Sequence, residues 1–347
     1  MSGKAVLVTG YPNFVVRRLV ERLAAQGRRV YLLCREDFEK AARRDFARLE
    51  EQVRLVTGDV VSMDLGLSGA EVKVMRAEVG TVFHLAGIYY LGSSETEMER
   101  VNIEGTRNAL AFSAELPGLE RFVHYSTAFV AGSREGVILE DELPEPPRFR
   151  NSFERTKFMA ERIVRGAMGE LPVSIVRPSL IVGDSRSGEI EKLDGPYFFM
   201  QVLVNLPIDI HLPLVGKGAF PLNLVPVDFV VAALAHVAEH PAAVGRTFHL
   251  VDQNPLPARM VFEMLCKAAD KKAPRGVIPH NLATALMKMP GLEKGWRSPR
   301  LFVECLNQLV LYNAMNTAEI LGGSGIACPP FSSYVGNLVA FLKKKRK

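Results

Sequence analysis

Short aliphatic and β-branched runs alternate with segments of helical spacing through the first half of the chain. The runs are "KAVLVTG" (4–10), "RVYLLCR" (29–35), "VRLVTGD" (53–59), "TVFHLAG" (81–87), "RFVHYST" (121–127) and "VSIVRPS" (173–179). Between them lie "NFVVRRLVERLAAQG" (13–27), a charged segment to about Glu51, and helical patterns near 99–115 and 153–169. Strands apolar on both sides need helices on both sheet faces, so this repeated strand-helix alternation predicts a parallel, doubly wound sheet. Beyond Gly183 the rhythm changes to a Gly- and Pro-rich stretch, followed by helical patterns near 228–239, 259–271 and 300–315 and a strand at "RTFHLVD" (246–252).

The expected fold is therefore α/β: a doubly wound Rossmann-type parallel sheet with a smaller, mixed α/β C-terminal lobe over the carboxyl edge of the sheet, where ligands of open α/β folds bind. The expected division is 1–183 for nucleotide binding, 184–335 for substrate, and 336–347 as an apolar-basic tail. Strands at 221–227 and 246–252 are candidates to return to the main sheet.

With 347 residues, 48% hydrophobic and 23% charged, the chain excludes disordered and fibrous classes. The net charge of +5 resides partly in "KKKRK" (343–347), so the body is nearly neutral. That tail either touches an anionic membrane surface or is simply solvated. No basic groove with interleaved aromatics accompanies it, which argues against nucleic acid. Four scattered cysteines and seven histidines show no metal spacing, so no metal is expected. The N-terminus lacks a signal-peptide pattern and no run is apolar enough to span a bilayer, so a cytoplasmic location is expected.

"AVLVTGYPNFVVRRLV" reads strand, turn, helix, an arrangement that turns helix amides toward a pyrophosphate. Gly10, Asn13, Phe14 and Val15 form the expected phosphate loop. Only Gly10 of a G-x-x-G-x-x-G pattern is glycine; Asn13, which tolerates a left-handed backbone, and Val16 hold the later positions, and a plain β-turn-α connection without ligand is the alternative. Arg35 follows the second strand. It is either a partner for an adenosine 2′-phosphate, pointing to NADP(H) over NAD(H), or a solvent-facing charge. Asp59 either meets the adenine edge or caps the next turn. His84 is expected as a hydrogen-bonded core histidine, and Leu85, Ala86 and Gly87 bring a small-residue strand end beside the pyrophosphate.

"VLVTG", "HLAGIYY", "NIEGTRNAL", "FVHYSTAFVAG", "FERTKFMAE" and "VRPSLIVGDSRSGEI" together resemble the extended short-chain dehydrogenase/reductases, nearest their thioester and fatty-acyl reductase branch with the carboxylic acid reductase domain. The resemblance implies that Thr127 polarises a carbonyl, that Lys157 holds the nicotinamide ribose, that Asn102 supports the site, and that Val60, Pro178 and Ser179 line the cofactor. It also implies a tyrosine four residues before Lys157, and here that residue is Phe153. Residues at i and i+4 share a helix face, so the ring is kept and the hydroxyl lost. Three accounts stay open: an oxidoreductase whose proton comes from elsewhere, Tyr89, Tyr90 or Tyr125 among the sources, or whose chemistry dispenses with it; a nucleotide- or acyl-binding protein without turnover; and a redox-neutral epimerase or dehydratase, for which Glu154 is the adjacent carboxylate. The expected partners are a nucleotide and a small carbonyl substrate such as an acyl thioester, on a monomer or homodimer. Bulky residues at 196–214 would line an elongated pocket or simply form the lobe core.

Overall fold

The computed structural model describes residues 4–89, 93–143, 145–191, 196–205, 211, 213–279, 282, 306 and 308–345. Its strands are β1 (Ala5–Thr9), β2 (Val30–Cys34), β3 (Val53–Thr57), β4 (Val79–His84), β5 (Arg121–Tyr125), β6 (Gly136–Ile138), β7 (Val173–Pro178), β8 (Leu180–Val182), β9 (Leu214–Val215), β10 (Leu224–Pro226), β11 (Arg246–Leu250), β12 (Val277–Ile278) and β13 (Val310–Tyr312). The α-helices are α1 (Phe14–Ala25), α2 (Glu39–Asp45), α3 (Gly69–Glu78), α4 (Glu95–Met98), α5 (Gly105–Ala114), α6 (Ser152–Gly166), α7 (Pro196–Asn205), α8 (Val227–Glu239), α9 (Ala258–Ala268), α10 (Met315–Leu321) and α11 (Phe331–Lys345).

Seven strands form one all-parallel sheet in the order β11-β7-β5-β4-β1-β2-β3. Strand side chains alternate between faces, and two apolar cores result. Val6, Val8 and Phe83 point to α1 and α8; Leu7, Val82 and Phe122 point to α3, α5 and α6. α1 forms because Val15, Val16, Leu19, Val20 and Leu23 recur at helical spacing on its buried side while Asn13 caps its first turn. The strand order reverses between β1 and β4, which opens a crevice at the carboxyl edge.

The strand near 246–252 does return to the large sheet, as β11, whereas β10 pairs with β8 in a separate two-stranded sheet. A third apolar cluster joins α7, α9 and α11 through Met200, Leu203, Val261, Leu265, Leu338 and Leu342. Two expectations are corrected. Within the segment read as a helix at 300–315, residues 310–312 form β13, parallel to β6; residues 300–305 and 307 lie outside the described residues. The segment read as a tail from 336 belongs to α11, because Tyr334, Leu338, Val339 and Leu342 form an apolar face buried in the third cluster. Asn337 Nδ2 donates to Ser185 O at 2.7 Å, which ties that helix to the loop after β8. Among the described residues no helix is long and apolar enough to cross a membrane.

Candidate active site

Gly10 ends β1 at the crevice with φ of 105°, a left-handed conformation, and a Cβ there would lie 2.6 Å from the Leu85 carbonyl carbon and 2.7 Å from Ala86 N. Glycine is required on both counts. Asn13 does not use the left-handed freedom expected of it: its φ is −149°, and its Oδ1 accepts from Val15 N at 2.8 Å. Val16 is fully buried in the core beneath α1. Phe14 is flanked by the guanidinium groups of Arg17 and Arg18, 5.6 and 5.9 Å from its ring, and these are paired with Glu189 and Asp184.

Arg35 sits past the end of β2, but its guanidinium is taken up by Asp37, with Nε–Oδ1 of 3.1 Å and Nη2–Oδ2 of 2.8 Å. Asp59 caps the turn after β3 by accepting from Val61 N at 3.2 Å. Val60 is buried, and its carbonyl accepts from Asn108 Nδ2.

At the end of β4, Gly87 lies against the side chains of two other elements: a Cβ there would stand 3.2 Å from Asn102 Oδ1 and 3.7 Å from Lys157 Nζ. Asn102 is buried in a π-helical turn, Glu99–Glu104, between α4 and α5; such turns interrupt the helical ladder and recur at functional sites. Its amide clamps the backbone on both sides of Ile88, with Ile88 N donating to Oδ1 at 2.7 Å and Nδ2 donating to Ile88 O at 3.0 Å, and it also reaches Thr156 Oγ1 at 2.9 Å. Lys157, on α6, donates to the Tyr125 carbonyl at 2.5 Å. Burial lowers its pKa to about 8, against the opposing pull of Glu161.

Thr127 follows β5, buried, with Oγ1 accepting from Phe129 N at 3.3 Å. That bond leaves its hydroxyl hydrogen for another acceptor. Its neighbour Ser126 is turned inward and donates to Glu161 Oε2 at 2.6 Å. Phe153 is buried at 8% exposure one turn before Lys157, yet it belongs to none of the three apolar clusters. Glu154 is paired with Arg150, which removes it as a spare acid for a dehydratase. Tyr125 turns toward the α1–α8 core, the face opposite α6, and burial, followed by Tyr89, raises its phenol pKa far above the ordinary value. Tyr90 lies outside the described residues.

His84 bonds Thr9 Oγ1 at 3.0 Å and Thr106 Oγ1 at 3.1 Å, and burial, then Lys157, pushes its pKa down to about 3. It is a core histidine. Ser179 donates to Asn223 Oδ1 at 2.8 Å and, with Phe129 and Tyr312, lines a small cavity beside the Thr127 turn; the buried Pro178 ends β7 next to it. Sequence reasoning missed Asp37, Thr156, Asn223 and the buried Ser126–Glu161–Arg177 chain. A signal existed for the last: Glu161 continues the 153–157 helix face by one more turn, and Arg177 is a charge inside an apolar strand.

The crevice with its bare Gly10 and Gly87 could hold a nicotinamide nucleotide, its phosphates received at the α1 N-terminus and its reactive end met by Lys157 and Asn102. Fold and crevice together define an extended short-chain dehydrogenase/reductase. Within that class the chain belongs to the NAD-binding male sterility protein family, whose model matches residues 8–234. It is 26% identical over 279 residues to a linear gramicidin synthase polypeptide of Brevibacillus parabrevis (72% of this chain, 5% of that protein). It is 25% identical over 277 residues to a fatty acyl-CoA reductase of Drosophila melanogaster (67% and 53%), and 28% identical over 332 residues to a 3-beta-hydroxysteroid dehydrogenase of Mycolicibacterium neoaurum (90% and 84%). The chain thus spans only a small part of the synthase and about half of the acyl-CoA reductase.

Among solved structures, the terminal R domain from the myxalamid PKS-NRPS biosynthetic pathway superposes with a TM-score of 0.81 at 24% identity, covering 100% of this chain and 92% of that one. UDP-glucuronic acid 4-epimerase of Bacillus cereus in complex with NAD superposes at 0.72 with 16% identity, covering 98% and 96%. The expectation of NADP(H) from Arg35 is corrected. The family is an NAD-binding one, the neighbouring structures described with a nicotinamide nucleotide carry NAD, and both point to NAD(H). The physical reason lies in Asp37, whose carboxylate neutralises the arginine and adds an acidic group at the β2 end.

Proposed function

We propose that the chain is an NAD(H)-dependent reductase of acyl thioesters. The observation that carries this reading is the buried Phe153 one turn before the buried Lys157, so that no hydroxyl stands at the position that would hand a proton to oxygen. A secondary alcohol or hydroxysteroid cannot be oxidised, nor a ketone reduced, without moving a proton on that oxygen. A thioester can be reduced without it, because the negative charge leaves on sulfur. The fatty acyl-CoA reductases and the R domain among the similar proteins support this substrate class.

Bound NADH supplies the hydride. Gly10 and Phe14 would hold its phosphates, Leu85, Ala86 and Gly87 the strand edge beside them, and Asp37 the adenine-ribose end. Lys157 holds the nicotinamide ribose, fixed in place by its bond to Tyr125 O. Asn102 keeps the backbone on both sides of Ile88, and with it the Gly87 turn, from shifting under the substrate. Thr127 donates its hydroxyl hydrogen to the carbonyl oxygen as charge develops there, a contribution that grows in the transition state. The reading places the reaction in an NAD(H)-containing compartment such as the cytoplasm.

The test is titration of the chain with NADH and NADPH, then NADH oxidation against a series of acyl-CoA thioesters beside NAD reduction against hydroxysteroids. Tight NADH binding with thioester-dependent oxidation is expected. Hydroxysteroid oxidation without thioester turnover would refute the assignment. One observation favours a second reading, nucleotide binding without turnover: Asn13 Oδ1 occupies the Val15 N–H that a phosphate would use. NADH binding with no turnover of any carbonyl would select it.

A further inference from the structure

We infer that Phe153 stops this reductase at the aldehyde, so that it carries out the two-electron reduction of a thioester and leaves the aldehyde unreduced for a separate aldehyde-consuming reaction. The inference rests on the thioester reading. In the first reduction, hydride from NADH bonds to the carbonyl carbon of R–CO–SR′ and the oxygen becomes an oxyanion. The oxygen lone pair then re-forms C=O while the C–S bond breaks, and its electron pair leaves on sulfur. The balance is R–CO–SR′ + NADH + H⁺ → RCHO + R′SH + NAD⁺, the proton joining the thiolate from water. A thiol has a pKa of about 8.5, so the thiolate leaves unprotonated and no proton has to reach oxygen inside the site.

A second reduction differs at one atom. Hydride addition to RCHO gives RCH₂O⁻, whose conjugate acid is about as weak as water, with a pKa of about 15.7. No leaving group carries the charge away, and the step needs a positioned acid, typically worth about 10²–10⁴ in rate.

The α6 face that would carry that acid has none. α6 runs from the carboxyl edge, where β5 ends, back toward the start of β7, so Phe153 lies one turn, about 6 Å, nearer that edge than Lys157. Lys157 is set behind it with its ammonium on the Tyr125 carbonyl. The Tyr125 ring points into the core on the other face of the sheet. Glu154 is buried against Arg150, and Ser126 gives its hydrogen to Glu161. Among the described side chains of β5, the turn after it and α6, what remains for the carbonyl is Thr127, a hydrogen-bond donor far too weak an acid to give up its proton.

The deciding experiment supplies the wild type and Phe153→Tyr with NADH and an acyl-CoA, and separately with the matching aldehyde. NADH saturation for each form is set from a fluorescence titration. Thiol release, NADH consumption and the aldehyde and alcohol products are quantified. The wild type should consume one NADH per thiol, accumulate aldehyde, and reduce supplied aldehyde more slowly than thioester. Phe153→Tyr should raise aldehyde turnover about a hundredfold at matched NADH saturation and shift the product to alcohol. Two NADH per thiol with alcohol as the wild-type product would overturn the inference and leave the thioester reading standing. NADH binding without thiol release would overturn the reading, and the inference with it. The wild-type stoichiometry decides the matter even if the variant does not fold.

Discussion

Replacing Glu161 with glutamine should destabilise the whole chain, because this carboxylate is the buried counter-charge for two arginines. It is completely buried and accepts from Arg177 Nε at 3.0 Å, Arg165 Nε at 3.0 Å and Ser126 Oγ at 2.6 Å, while Arg177 is itself only 1% exposed. Burial alone would raise the carboxyl pKa; Arg177, then Arg165 and Ser126, outweigh it and hold the value at about 2. A folded pKa below the unfolded one stabilises above the unfolded value, and that contribution, about 3 kcal/mol, is lost as pH falls from about 4.5 to about 2. Glutamine leaves Arg177 without its buried partner, which typically costs about 3–5 kcal/mol. Unfolding entropy of about 2.1 cal/mol/K per residue over 347 residues converts that into a Tm lower by about 4–7 °C. Calorimetry at neutral pH checks it against Glu120→Gln, which breaks the exposed Lys4–Glu120 pair and should move Tm by about 1 °C or less. A Glu161→Gln shift no larger than that control, or an identical loss of stability in the wild type and Glu161→Gln between pH 4.5 and 2, would refute the assignment of Glu161 as the buried counter-charge. Because Ser126 precedes Thr127, the variant should also lower kcat more than it raises KM.

Three further outcomes follow from the site. Asp37→Asn should release Arg35 for a 2′-phosphate and raise the NADPH-to-NADH affinity ratio about tenfold or more by fluorescence titration; an unaltered ratio would show that Asp37 does not set cofactor choice. Gly10→Ala should abolish NADH binding and lower thermal stability, since its Cβ would stand 2.6 Å from the Leu85 backbone at φ of 105°; normal titration and melting curves would contradict the close approach of β1 and β4. Lys157 is charged below its pKa, so turnover that needs the ammonium should fall as pH rises through about 8 and the limb should vanish in Lys157→Met; a limb surviving in the variant would assign it to another group.

The sheet was legible because its strands are buried on both faces and read as continuous apolar runs, and the return of β11 was visible in "RTFHLVD". What failed to show were elements whose formation depends on a distant partner. β6 and β13 have three residues each and exist by pairing across more than 170 positions. The buried face of α11 is obscured in sequence by the lysines that follow it, and only the cluster with α7 and α9 makes it a core helix. In the site, Gly87, Asn102 and Lys157 are brought together by three separate elements, as the family motif implies. Arg35 misled because its charge was read alone; the carboxylate that neutralises it is two residues away, and only the turn after β2 brings the two side chains face to face.

The two departures from the family pattern, Asn13 and Phe153, bear differently on activity. Asn13 keeps what the loop needs mechanically, since its side chain satisfies the Val15 amide and starts α1, while the close approach at the crevice rests on Gly10. The cost falls on one phosphate contact. Phe153 removes a group that the described acids and phenols of β5 and α6 do not replace, since Glu154 is paired with Arg150, Ser126 with Glu161, and the Tyr125 ring faces the opposite core. Yet Lys157 remains buried one turn below it at an energetic cost that its pKa of about 8 records. On the proposed thioester reading, a buried ammonium with no phenol to activate would still orient a ribose. Its place beside an aromatic ring would separate two roles that a tyrosine-lysine pair normally combines, and chemistry with a leaving group of low basicity is the kind that could use one without the other.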